Sequence, residues 1–210
     1  MNAPERLTDG FPLFPLGIVA LPTEAVPLHI FEERFKTMVN ECLANESEFG
    51  IVWLSDDGLR EIGCACRIER VLERDDEGAM NILTRGTRPL RVVERQSDLA
   101  YPAGLVEFLS DRSEDVDEAA AQDARAAYAD LVRRATDREL EDEELAQMTA
   151  YEMAANVDFG LDAKQGLLDL RSENARMRLV ARLFRAAIKR LEFVDRAQAR
   201  ARSNGRVRFS

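Results

Sequence analysis

One histidine, His29, and three cysteines, Cys42, Cys64 and Cys66, are the most reactive side chains of this 210-residue chain. A hydrolase built on His29 would need a nucleophile in hydrogen-bond reach and a third group to orient the ring. Neither a Gly-x-Ser-x-Gly elbow nor a His-Glu-x-x-His helix occurs. In number, the histidine and the cysteines could ligate zinc. Structural zinc sites show Cys-x2–4-Cys pairs, whereas Cys64 and Cys66 alternate with Ile68 on one side of a period-2 pattern and Cys42 falls on an apolar helical stripe. They read as buried thiols, with no metal. A phosphate-cradling loop would need Gly-x4-Gly-Lys-Ser/Thr. Gly58 to Gly63 has the glycine spacing, but Cys64 and Ala65 follow. No cofactor is therefore expected, and no enzyme; a cryptic hydrolase centred on His29 is the weakest reading.

Other side chains suit binding. Glu32 and Arg34 have the charges of a peptide clamp, and Trp53 and Arg88 offer an aromatic face and a guanidinium. Each also has a plain structural use. A carboxylate at position 32 suits the start of a helix dipole, Arg34 and Arg88 can pair locally, and Trp53 lies in an apolar run that suits a core. Phe31, with Leu28, Ile30 and Phe35 around it, is expected inside.

The elements that position these residues change character near residue 110. From Phe11 to Phe35 the chain is apolar yet carries Pro12, Pro15, Pro22 and Pro27. Each internal proline removes a donor and breaks a helix, so short extended pieces with bends are expected. A helix follows over about 32–45, with Phe35, Met38, Val39, Cys42 and Leu43 on one stripe. Strands are read at 49–54, 62–71, 79–84, 90–94 and 105–109, with turns at Ser55–Gly58 and Asp75–Gly78 and a stop at Arg85-Gly86. Beyond, only helical periodicity remains. Ser113 is expected to cap a helix to about Ala135, a second helix runs from about Glu139 to Asn156, a short one from Ala163 to Leu170, and Ser172 caps a long last helix. The expected organisation is an N-terminal tail (1–10), a β-subdomain (11–110), a helical subdomain (111–200) and a basic tail (201–210).

Charge narrows the partners. The chain carries a formal −10; residues 107–152 hold 15 acids and 5 bases, and 189–210 hold 7 bases and 2 acids. An acidic body repels phosphate backbones, so nucleic acid is disfavoured. No apolar run is long enough to span a bilayer, and three cysteines with no secretory signal read as cytoplasmic.

Several motifs in order resemble the N-terminal substrate-binding domain of Lon proteases. They are Phe14-Pro15-Leu16, Pro27-Leu28-His29-Ile30-Phe31-Glu32-Glu33-Arg34-Phe35, Ile62-Gly63, the acidic turn at Gly78, Gly86-Thr87-Arg88, Tyr101-Pro102, and Lys164-Gln165-Gly166-Leu167-Leu168 with Arg176 or Arg178 downstream. Pro89 departs from that pattern. The resemblance implies an α+β fold: a PUA-like twisted β-structure, a pseudo-barrel, followed by an α-helical bundle. It also implies a module that selects unfolded or tagged polypeptide for a separate protease or ATPase. His29, Glu32, Arg34, Trp53 and Arg88 are the peptide-binding candidates. RNA binding is the alternative, since PUA-like folds also occur in RNA-binding proteins.

Overall fold

Seven strands form one sheet whose first strand, β1 (Leu7–Leu16), changes partner midway. It runs antiparallel to β7 (Ala103–Phe108) along Leu7–Pro12 and parallel to β3 (Phe49–Ser55) along Leu13–Leu16. Neither half of β1 is paired on both sides, which is how a strand tolerates Pro12 and Pro15. As expected of the stretch from Phe11 to Phe35, two extended pieces, the end of β1 and a strand over Ala25–Ile30, are joined by a bent segment that holds Pro22. With β5 (Ile62–Arg74) and β6 (Met80–Gln96) the order is β1-β7-β6-β5-β3, the two-residue β4 (Gly58–Leu59) pairs with β3, and the β1–β3 pairing closes the circuit. This is the pseudo-barrel. The computed structural model describes residues 7–96 and 99–204, so 1–6 of the expected N-terminal tail and 205–210 of the basic tail lie outside the described residues.

Strand alternation feeds two cores. Phe11, Leu13, Val52, Ala65, Leu90 and Val106 fill the inside of the circuit. The neighbours pointing the other way, including Phe14, Ile51, Cys64 and Cys66, join a larger cluster with the helices. Both faces of β3 are buried over Phe49–Val52, which suits its apolar run there, while Leu54 is exposed. Helix α1 (Glu33–Asn45) lays Phe35, Met38, Val39 and Cys42 on this second cluster, as its stripe predicts.

Gly86 is not a strand end. Strand β6 runs through it for 17 residues, past Pro89, which pairs opposite Cys64. The register slips there, and the 21–24 bend lies directly on the glycine: Thr23 N donates to Gly86 O (2.8 Å) and Gly86 N to Glu24 O (3.0 Å).

The helical half comprises α2 (Glu118–Thr136), α3 (Asp142–Gln147), α4 (Ala150–Ala154), α5 (Leu161–Leu168) and α6 (Glu173–Asn204). Asp117, not Ser113, caps α2, accepting from Ala120 N at 3.0 Å. That backbone bond, with Arg178, holds its carboxyl below the usual range. The helix expected over 139–156 is two helices, because Met148 is extended and Thr149 with Glu152 forms a capping box that restarts the chain. Ser172 does cap α6, accepting from Ala175 N (3.0 Å). The apolar stripe of α6 is buried as far as Ile188, while Phe193 and Val194 are exposed.

Candidate functional site

Strand β2 (Ala25–Ile30) pairs with β6 alone among the described strands. Its even-numbered side chains Val26 and Ile30 are buried, so Pro27 and His29 face outward. The same alternation carries one residue further and turns Phe31 out before α1 begins. Phe31 is 62% exposed, which corrects its expected place in the core: the apolar neighbours flank it in sequence but point the other way. Its ring stacks on His29, with centroids 5.7 Å apart and planes at 25°.

His29 opens a polar ladder across three strands. Its Nδ1 meets Asn81 Oδ1 at 2.8 Å, and Asn81 Nδ2 donates to Glu73 Oε2 at 3.0 Å. With the Asn81 amide so oriented, its oxygen accepts and His29 Nδ1 donates. The arrangement suits hydrogen bonding to a ligand. Next to it, Arg34 is spent locally: it pairs with Glu32 (2.8 Å) and lies 4.5 Å over the Phe35 ring. Glu32 is the N-cap of α1, but its side chain makes no cap bond and serves Arg34 instead. A shallow depression bounded by Pro27, His29, Leu72 and Glu73 completes this surface.

The other two candidates lie apart. Trp53 on β3 is half-buried against the larger core, with Arg60 5.1 Å above its ring. Arg88 on β6 pairs with Glu48 (2.7 Å) and sits 3.9 Å over Phe108. Among the described residues, no contact joins either to the His29–Arg34 group.

The downstream motif residues turn out to weld the two halves together. Lys164 forms an ion pair with Glu24, whose other oxygen accepts from Leu21 N (2.9 Å). Gln165 Nε2 donates to Ile62 O (3.1 Å). Arg176, 3% exposed, donates to Asp111, to Leu170 O (2.9 Å) and to Glu173 (2.9 Å), and lies 4.4 Å over Tyr151. Burial works against its charge, but the Asp111 hydrogen bonds and nearby Glu173 outweigh that and hold the guanidinium protonated. On the β side, burial and a 2.5 Å hydrogen bond to Glu41 push the Tyr101 phenol up to about 12. Sequence spacing flagged these residues only through the family motif; what they touch is visible only once the chain is folded.

The three cysteines are free and buried. Burial, reinforced by Cys66, pushes the Cys64 thiol well up, and burial raises Cys42. Thiols held protonated are poor nucleophiles and poor ligands. His29 faces outward, while Cys64 and Cys66 face the larger core.

The family model for the substrate-binding domain of the ATP-dependent protease La (Lon) matches residues 10–185. The chain belongs to the Lon substrate-binding domain family. Two solved structures share its fold. A Lon N-terminal domain protein from Xanthomonas campestris is 24% identical, with a TM-score of 0.62 over 81% of this chain and 95% of that one. The N-terminal domain of the Mycobacterium avium complex Lon protease is 17% identical, with a TM-score of 0.63 over 83% and 97%. In the Lon-type frame, the α+β architecture and the closed β-circuit are as the sequence resemblance implies. No helix among the described residues is long and apolar enough to cross a membrane.

Proposed function

We propose that the chain is a non-catalytic polypeptide-recognition module that receives unfolded or tagged segments on the surface built from His29 and Phe31 and hands them to a separate protease or ATPase in the cytoplasm. Membership of a substrate-binding family supports the class of ligand. The observation that carries the location is Phe31: a phenylalanine 62% exposed, in an ordered strand-to-helix turn and stacked on His29. Rigid exposed aromatics give large contact area at little entropic cost. The His29–Asn81–Glu73 ladder places hydrogen-bonding groups beside it for a peptide backbone. Glu32 and Arg34 border this surface as a closed ion pair. Trp53 and Arg88 are spent on Arg60, Glu48 and Phe108, which favours a structural role for both.

RNA binding is the rival reading. A formal −10 charge opposes the phosphate contacts that dominate nucleic-acid affinity. The test is a pair of titrations, with reduced carboxymethylated lactalbumin as permanently unfolded protein and with a structured RNA. Unfolded protein is expected to bind more tightly. Phe31→Ala is expected to weaken it about tenfold, or ~1.4 kcal/mol, while its urea midpoint stays near wild type, because an exposed side chain leaves no cavity. Tight, steeply salt-dependent RNA binding with no polypeptide binding would reverse the reading.

A further inference from the structure

Strand β2 has one edge inside the sheet and one outside it. Strand β6 lies on the inner side, and over the same residues β6 pairs with β5 beyond. Two contacts fix which backbone groups of β2 point inward. Gly86 N donates to Glu24 O (3.0 Å), and Thr84 Oγ1 donates to Val26 O (2.9 Å). The carbonyls of Glu24 and Val26 therefore face β6. In an antiparallel ladder the direction of the backbone groups alternates from residue to residue. The carbonyls of Ala25, Pro27 and His29 thus point to the open side, with the N–H groups of Ala25 and His29. Pro27 fits this phase, because its missing donor falls on the open side and leaves the β6 ladder whole. All three residues are exposed. Among the described residues, no other segment hydrogen-bonds to these outward backbone groups.

We infer that the open edge of β2 takes the polypeptide as an added β-strand, held by main-chain hydrogen bonds through Ala25, Pro27 and His29. The inference rests on the polypeptide-recognition reading and supplies its binding mode. The edge itself names the occupant. Donors and acceptors that recur every ~7 Å, the spacing of alternate strand residues, are matched by another extended backbone. A segment has those groups to offer only where it is unfolded, since folded chains have already paired them. Main-chain bonds are common to every sequence, so an edge of this kind selects unfolded chain without a fixed motif. Phe31, exposed at the end of the strand, adds an apolar contact beside the added chain. A second copy of this chain is the poorer occupant. A β2–β2 pair that sets Ala25 opposite His29 also sets Pro27 opposite Pro27, where neither can donate, and two bodies of formal −10 repel each other.

The test uses the whole chain with carboxymethylated lactalbumin as the probe. In the free protein the Ala25 and His29 amides should exchange with solvent fast, and the Val26, Leu28 and Ile30 amides, which face β6, slowly. Saturating lactalbumin should slow Ala25 and His29 at least tenfold, read residue by residue by NMR. If both stay fast while the protein is saturated, the added strand is overturned. Affinity gives an independent reading. His29→Ala and His29→Pro both remove the imidazole, but only proline also removes the outward N–H. His29→Pro should bind lactalbumin about fivefold more weakly than His29→Ala, the share of one main-chain bond, with similar urea midpoints. Equal affinities overturn the inference; should His29→Pro fail to fold, the amide measurement decides alone. If the added strand falls while Phe31→Ala still weakens lactalbumin binding, the polypeptide reading stands without it. If wild type binds no lactalbumin, both fall. Sedimentation covers the rival occupant: a wild-type dimer that His29→Pro splits would make this edge a contact between copies and overturn the inference.

Discussion

Arg176→Ala is expected to lower the unfolding free energy by about 2–3 kcal/mol, from the lost hydrogen bonds and packing of a buried guanidinium whose carboxylate partners Asp111 and Glu173 are partly exposed and stay hydrated. The guanidinium reaches three parts of the chain at once. It donates to Asp111 in the segment leaving β7, to Leu170 O after α5 and to Glu173 in the first turn of α6, and Tyr151 of α4 covers its face. Removing it strands the Leu170 carbonyl and leaves the Asp111 carboxylate without its fork. A loss of that size is a large share of the ~5–15 kcal/mol that holds a domain folded. Lysine should rescue little, because a point charge cannot make the fan of bonds that a planar guanidinium makes. Urea melts of the alanine and lysine variants decide it; alanine within ~1 kcal/mol of wild type would show that solvent replaces the network, as it does for surface pairs.

Gly86→Ala is the second large effect. A Cβ at this position would overlap the Leu21 carbonyl oxygen and stand 2.8 Å from its carbon and 3.0 Å from Cys64 Sγ. The obstacle is backbone, so no rotamer change relieves it. Either β6 shifts within the closed circuit or the 21–24 bend lifts away and gives up the Thr23–Gly86 and Gly86–Glu24 hydrogen bonds. Overpacking together with those bonds puts the cost on the order of 3 kcal/mol or more. Lifting the bend would also disturb Thr23 and the start of β2, so polypeptide binding should fall along with stability. A stable alanine variant would mean that the approach of the bend to β6 is looser than described.

Much of this architecture can be read from residue patterns. The stripe of α1, the hairpin signalled by Asp75–Gly78, the Ser172 cap and the change of periodicity near residue 110 are local signals, and the structure follows them. Long-range facts are not local. Whether Gly86 ends a strand or lets one pass beneath a bend depends on Leu21, far away in sequence. Whether Phe31 faces in or out depends on the phase of β2, which its pairing with β6 fixes through Val26–Thr84 and Ile30–Met80. Apolar neighbours gave the wrong side, while the burial of Val26 and Ile30 gives the right one. The Thr149-x-x-Glu152 capping box was available as a sequence signal for the break between α3 and α4. Arg34 and Arg88 drew notice as charges, yet each is paired, whereas Phe31, exposed shortly before Arg34, looked like core.

The most direct measurement is hydrogen–deuterium exchange of the protein with and without saturating carboxymethylated lactalbumin. The account predicts slowed exchange along Ala25–Arg34, with little change around Trp53 and Arg88. Protection confined to the Trp53 and Arg88 strands, or protection by structured RNA with none by the unfolded protein, would contradict it.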